Sequence, residues 1–175
     1  MIGAVPELST ARLRLRRPAR VDARAIAALA ADYAIARMST RIPHPYSEDD
    51  ALAFLQLVEA EDPRTDLTWL IERDGVGPIG MLSLFAAGGL GPELGYWIGR
   101  PFWGQGHATE AVNGALRYAD QVWRRKVVVA GHFADNPASG RVLGKAGFLY
   151  TGMVAPTFSL ARGEAAPTRW MVRLP

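Results

Sequence analysis

The stretch Gly95-Tyr96-Trp97-Ile98-Gly99-Arg100-Pro101-Phe102-Trp103-Gly104-Gln105-Gly106-His107-Ala108-Thr109-Glu110-Ala111 runs from an apolar strand through a glycine turn into a helix. Glycines at 104 and 106 let the backbone reverse tightly and approach a ligand closely. The N–H groups that open the following helix have no partner inside it and point outward, where they attract an anion. A pyrophosphate-bearing ligand is the first expectation.

Outward from this turn the chain reads as alternating strands and helices. Leu13 and Leu15 alternate with arginines as a half-exposed strand, and an alanine-rich helix follows over Val21 to Met38. Pro43 and Pro45 keep the next segment, Ile42 to Tyr46, out of a helix. Ser47 with Asp50 three residues on resembles a capping box, and Leu52, Leu55 and Val58 fit the helix behind it. Leu67 to Arg73, Pro78 to Phe85 and Glu93 to Ile98 read as an antiparallel meander, with the glycine-rich segment Ala86 to Pro92 as its second turn. Past the glycine turn, Val112, Ala115, Leu116, Ala119, Val122 and Trp123 form one helical stripe. Lys126 to Ala130 reads as a strand buried on both faces. Asn136 and Pro137 cap a helix that Gly147 closes, and Phe148 to Val154 and Thr168 to Arg173 complete the sheet. The expected fold is a mixed α/β sheet with helices on both sides.

Composition narrows the function. The chain of 175 residues is expected to be one domain, and its 49% hydrophobic content suits a globular core. With no cysteine, a thiolate nucleophile, a disulfide framework or a zinc–cysteine site is excluded. No basic n-region with an apolar h-region opens the sequence, and no run reaches the ~20 apolar residues of a membrane span, so a cytoplasmic protein is expected. Net charge is only +3. Arg12, Arg14, Arg16 and Arg17 therefore read as a solvated face and not a nucleic-acid stripe.

Two familiar phosphate motifs do not fit. A dinucleotide fingerprint needs a third glycine or alanine where Thr109 stands, and a P-loop needs a Gly-Lys-Ser/Thr ending that is absent. A second constellation follows one strand later: Asn136-Pro137-Ala138-Ser139-Gly140-Arg141-Val142-Leu143-Gly144-Lys145-Ala146-Gly147-Phe148. Gly-Tyr-Trp, then Trp-Gly-x-Gly-x-Ala-x-Glu-Ala, then Asn-x-x-Ser and Gly-Phe together resemble the GNAT superfamily of acetyl-CoA-dependent N-acetyltransferases, and within it the RimJ/RimL-like branch.

That resemblance implies a single GNAT-like acyl-CoA N-acyltransferase domain over residues 1–175, with a mixed, largely antiparallel sheet of six to seven strands and helices on both faces. It implies acetyl-CoA as the acetyl donor, no metal, and a primary amine, on a protein N-terminus or a small molecule, as acceptor. It also implies that Trp103, Gly104, Gln105, Gly106, His107, Ala108 and Thr109 cradle the coenzyme A pyrophosphate, with His107 as a solvent-facing packing residue. Asn136 is expected along the pantetheine arm, backbone amides near Trp97 and Ile98 at the thioester, and Arg141 at a phosphate. The tyrosine that many members place seven residues after the capping asparagine is Leu143 here, and Ser139 is the expected substitute as donor to the leaving thiolate. A noncatalytic acyl-CoA-binding module is the alternative.

Strand alternation puts Glu93 on one face with Gly95 and Trp97, and Glu93 is the first candidate for general base. Acceptor residues are sought in Arg37 to Tyr46 and in Thr157 to Pro167. The candidates are Pro43, His44 and Tyr46, with Tyr96 and His132 nearby and Asp135 and Glu164 in reserve. Arg162-Gly163-Glu164 reads as an exposed turn. A monomer or a homodimer is expected, without nucleic-acid or membrane partners.

Overall fold

A computed structural model of the protein describes residues 5–89 and 91–175. Residues 1–4 of the opening stretch and Leu90 of the glycine-rich segment lie outside the described residues. The strands are β1 (Leu8–Ser9), β2 (Leu13–Arg16), β3 (Leu67–Arg73), β4 (Gly77–Ala86), β5 (Pro92–Ile98), β6 (Val128–Phe133), β7 (Leu149–Ser159) and β8 (Glu164–Arg173). The helices are α1 (Ala23–Ala30), α2 (Tyr33–Ala36), α3 (Glu48–Glu59), α4 (His107–Tyr118) and α5 (Pro137–Lys145).

The eight strands form one sheet in the order β1-β2-β3-β4-β5-β6-β8-β7. The six to seven strands expected from sequence omitted β1, whose two residues are too short to show a period. Neighbours pair antiparallel except β5 and β6, which run parallel and pair at a single position, Glu93 opposite Val129. Toward Ile98 and Phe133 the two strands part. That parting creates the cleft described below.

Alternation assigns the two faces of the sheet. Leu67, Trp69, Ile71, Leu82, Leu84, Leu94 and Ile98 pack with Val112, Ala115 and Leu116 of α4 and Leu143 of α5. Leu70 and Met81 pack on the other face with Ile26 of α1 and Leu55 of α3, and Trp97 leans on the same cluster. Helices therefore cover both faces, as expected.

Three local readings need correction. The helix expected over 21–38 is broken into a short 3₁₀ turn at Arg20–Asp22, α1 and α2, because Asp32 leaves the helical conformation and accepts from the Ala34 N–H to cap α2. Val122 is exposed, because the end of α4 widens into a π-helical turn over Ala119–Trp123 that shifts the stripe by one residue. Strand β6 spans Val128–Phe133 and not Lys126–Ala130, since Arg124, with φ 59°, closes that turn and the chain re-enters the sheet only afterwards.

Candidate active site

The glycine turn is held open by its own backbone. Gly104 and Gly106 have φ of 73° and 79°, where only glycine is unstrained, and Gly106 caps α4. The first bond of the helix runs from the Glu110 N–H to the Gly106 carbonyl. Among the described residues, the N–H groups of Gly104, Gln105, Gly106, His107, Ala108 and Thr109 have no acceptor. Six consecutive free donors at a helix start are a cradle for a phosphate group.

Two anchors fix this turn. The Trp103 indole N–H donates to the Ile98 carbonyl at 2.6 Å, tying the turn to the end of β5. Glu110 accepts from the Thr10 hydroxyl at 2.6 Å, the Arg12 backbone N–H at 2.8 Å and Arg12 Nε at 2.7 Å, while Arg12 also donates to the Gln105 carbonyl at 3.0 Å. Burial pushes the Glu110 carboxyl up, but these bonds outweigh it and hold it below the usual carboxylate range. The anchor explains the glutamate of the Ala-x-Glu-Ala motif, which sequence reading had given no role. His107 is buried and not solvent-facing, because its ring turns inward against Phe102 with Nδ1 3.3 Å from the Phe102 carbonyl. Only its backbone belongs to the cradle.

A cleft of about 710 Å³ runs from this turn through the parting of β5 and β6 to the other face of the sheet. It is bordered by Trp103, Gly104, Gly106, His107, Ala108 and Thr109 at one end and by Met38 to Ile42 at the other. Glu93, Trp97, Ile98, Tyr96, Asn136, Ser139, Arg141 and His132 lie along it. Gln105 contributes backbone next to the cleft, while Pro43, His44 and Tyr46 stand outside it. His44 packs on Tyr33 with ring centroids 5.0 Å apart, and Tyr46 packs against the α1–α3 clusters.

The polar groups along the cleft divide into free and committed. Glu93 makes no side-chain hydrogen bond or ion pair among the described residues, and burial raises its carboxyl above the ordinary range against the opposing charge of Arg41. Tyr96 Oη lies 2.7 Å from Ser139 Oγ, and burial pushes the phenol up to about 12, so it stays protonated. The Ser139 backbone N–H donates to Asn136 Oδ1 at 3.2 Å, which is the helix cap expected from sequence. Leu143 is fully buried in the core and cannot reach the cleft.

His132 is committed. Its Nδ1 lies 2.8 Å from the Phe133 carbonyl, which can only accept, so Nδ1 carries the proton and Nε2 accepts from the Tyr150 hydroxyl at 2.9 Å. Asp135 is bound by Arg37 and Arg162, each at 2.8 Å, which hold it below the usual carboxylate range, the Arg162 hydrogen bond foremost. Arg162 also donates to the Arg37 carbonyl at 2.7 Å and is largely buried, so only Gly163 and Glu164 of that turn are exposed. With Ser159 donating to the Ser39 carbonyl, the β7–β8 turn is latched onto residues 37–40 at the far end of the cleft. No sequence spacing announces this latch, because its partners lie about a hundred residues apart.

No group of His, Asp and Glu able to hold a metal occurs among the described residues, and no helix there is long and apolar enough to cross a membrane.

Comparison with known proteins bears on this geometry. The profile of the acetyltransferase (GNAT) domain matches residues 12–149. The uncharacterized N-acetyltransferase YoaA of Bacillus subtilis is 30% identical over 154 residues, 85% of this chain and 86% of that protein. Among solved structures, a GNAT-family acetyltransferase from Bacillus anthracis superposes with a TM-score of 0.83 at 18% identity, over 97% of this chain and 98% of that one. RimL, an alpha-N-protein acetyltransferase acting on a ribosomal protein and solved with coenzyme A, superposes with a TM-score of 0.82 at 19% identity, over 97% and 98%. At those identities the likeness to the solved structures is one of fold.

Proposed function

The chain belongs to the GNAT acetyltransferase family, and from that premise we propose that it moves an acetyl group from acetyl-CoA to a primary amine by direct attack in a ternary complex. We place it in the RimJ/RimL-like branch. One observation carries the reading: six free backbone N–H groups open directly onto a gap between two strands that leads through the sheet.

The residues present fit the donor. The amides of Gly104 to Thr109 would take the pyrophosphate, and Arg141, exposed on α5 at the cleft edge, would take a further phosphate. Asn136 and the strand end Trp97 to Ile98 would flank the pantetheine arm. When bound, acetyl-CoA supplies an acetyl group activated as a thioester. Every second N–H of β5 points away from β4, and beyond Glu93 nothing in β6 pairs with it, so these groups are free to stabilise the developing oxyanion.

Proton handling falls to side chains already in place. Glu93 takes a proton from the amine, and its raised affinity for protons brings it closer to that task. Ser139 donates to the departing sulfur. Tyr96, a protonated phenol within hydrogen-bond distance, orients that hydroxyl and replaces the tyrosine that Leu143 cannot provide.

The acceptor approaches from the side of residues 38–42, onto which the β7–β8 turn is latched. Glu93 and Asp135 are the only acids along the cleft among the described residues, and Asp135 is neutralised by two arginines. That surface suits a monoamine, either a protein N-terminus or a small molecule, over a polycation. Thiol release from acetyl-CoA with a panel of amines and N-terminal peptides tests the reading. Turnover on a monoamine is expected, whereas acetyl-CoA binding without turnover on any acceptor would leave only a noncatalytic binding module.

A further inference from the structure

Glu61, just past α3, belongs to no motif and lies outside the cleft. Its Oε1 accepts from the Thr68 hydroxyl at 2.7 Å, and the Thr68 hydroxyl lies 3.0 Å from Ser83 Oγ. Thr68 is opposite Ser83 in the β3–β4 ladder, and Ser83 is opposite Gly95 in the β4–β5 ladder. Ser83 and Gly95 both line the cleft. A single row therefore leads from Glu61 across three strands to the cleft floor.

The floor is open at that point. A Cβ placed on Gly95 would meet only a ring carbon of Phe85, at 3.5 Å. Glu93 and Trp97 flank this gap on the same face of β5.

Hydrogen-bond chemistry gives the row a direction. An ionised carboxylate only accepts, so the one proton of Thr68 is spent on Glu61. At the 3.0 Å contact Ser83 must then donate to Thr68. That leaves the lone pairs of Ser83 for a donor in the cleft. A cross-strand pair of hydroxyls would hold the sheet without any carboxylate. Here the carboxylate is present, and its Oε2 is buried without a partner, a cost that folding alone does not require. Burial raises the Glu61 carboxyl above its usual range, Asp66 adds to this, and Arg17 and Arg41 oppose it. Glu93 and Arg41 line the cleft together with Ser83 and Gly95, and the charge of Arg41 acts on Glu93.

We propose that Ser83, Thr68 and Glu61 form a hydrogen-bond relay that carries away the proton released by the acceptor amine, alongside Glu93. The relay rests on the amine-acetylation reading above. Glu93 takes the first proton from the ammonium form of the acceptor. As the N–C bond then forms and the C–S bond breaks, the second amine proton passes to Ser83 Oγ, the Ser83 proton to Thr68 and the Thr68 proton to Glu61. Glu61 is only partly buried and releases it to solvent before the next turnover. The sulfur is protonated separately by Ser139, which regains its proton from water. Ser83 is the member that touches the amine; Thr68 and Glu61 act through it.

The test compares wild type with Ser83→Ala, the isosteric Thr68→Val and Glu61→Gln by steady-state kinetics in H2O/D2O mixtures and across pH. Each variant should lose at least about 10-fold in kcat, less than the full worth of an acid–base group because Glu93 remains. The wild-type dependence on deuterium fraction should be curved, as for several protons in flight, and linear in all three variants. Glu61→Gln should also remove one ionisation from the acid limb of the pH profile, with coenzyme A affinity unchanged. Wild-type kcat and curvature in Ser83→Ala, whose hydroxyl is not in the core, would overturn the relay even if Thr68→Val failed to fold. Slow turnover of Glu93→Gln beside such a result would leave the acetylation reading standing, and a wild-type chain that acetylates no amine would overturn both.

Discussion

The two ends of the cleft are built by different means. At the glycine turn the polar groups offered to a ligand are free backbone amides, set by two positive φ angles and a helix start and braced by Glu110 and Arg12. At the far end they are side chains brought together over long sequence distances: Arg37, Asp135 and Arg162 in the latch, and Glu93 and Ser83 on the floor. A backbone cradle asks little of the side chains, since a phosphate needs only N–H groups. A side-chain wall changes with single substitutions and so sets what is particular to this chain.

The contrast is sharpest at Glu93. Glu93→Gln should lower kcat about 100-fold, within the range for one positioned general base, and leave coenzyme A binding intact. Because the working form is the carboxylate and burial raises its proton affinity, wild-type activity should fall as pH drops through that raised value. In the glutamine variant this part of the acid limb should be missing, and an unchanged profile would remove Glu93 from the mechanism.

On the other side of the divide, Gly106→Val forces a β-branched residue to φ near 79° in the cradle. Strain of about 2 kcal/mol should appear as a roughly 30-fold loss of coenzyme A affinity by calorimetry. Equal affinity would show that the turn does not hold the donor. Ser139→Ala and Tyr96→Phe should each slow kcat by about 10-fold, with a larger deficit for acceptors that attack readily and make thiolate departure limiting. Turnover at the wild-type rate in both would assign sulfur protonation to water.

The latch should give the smallest effect. Asp135→Asn is expected to raise KM for the acceptor a few-fold without changing coenzyme A affinity. The Asp135 side chain is 45% exposed, so its ion pairs contribute no more than about 1 kcal/mol to stability. Its folded pKa is depressed, so that contribution is present above the unfolded carboxyl range and is lost as pH falls through the folded value. Thermal melts of wild type and variant should therefore converge in acid. A change in coenzyme A affinity would break the division between the two ends.

This division also decides what could be read from the chain alone. The cradle, the Ser47 and Asn136 caps and the strand–turn–helix order are local, and glycines, prolines and short polar residues mark them directly. The position of Glu93 on one face with Gly95 and Trp97 was visible through strand alternation, and the position of Ser139 in the first turn of its helix through the Asn136 cap; both line the cleft. Features that depend on the sheet register were hidden: the opposition of Thr68, Ser83 and Gly95 and the tie of His132 to Tyr150. The inward turn of His107 against Phe102 is a packing choice at the helix start that residue type alone does not reveal. The acceptor residues expected at Pro43, His44 and Tyr46 stand just beyond the part of the segment that lines the cleft, because Ser39 folds residues 39–42 inward through bonds to the Arg41 and Ile42 N–H groups. Nothing in the spacing of the prolines reveals where that fold ends.

The central claim is that free backbone amides at the glycine turn hold the donor while the parting strands lead it to the acceptor face. Amide-resolved NMR during a coenzyme A titration tests it most directly. The account predicts saturable shifts concentrated at the N–H groups of Gly104 to Thr109, extending along Trp97 and Ile98 and sparing the latch at Arg162. Saturation of binding with those amides unmoved would contradict it.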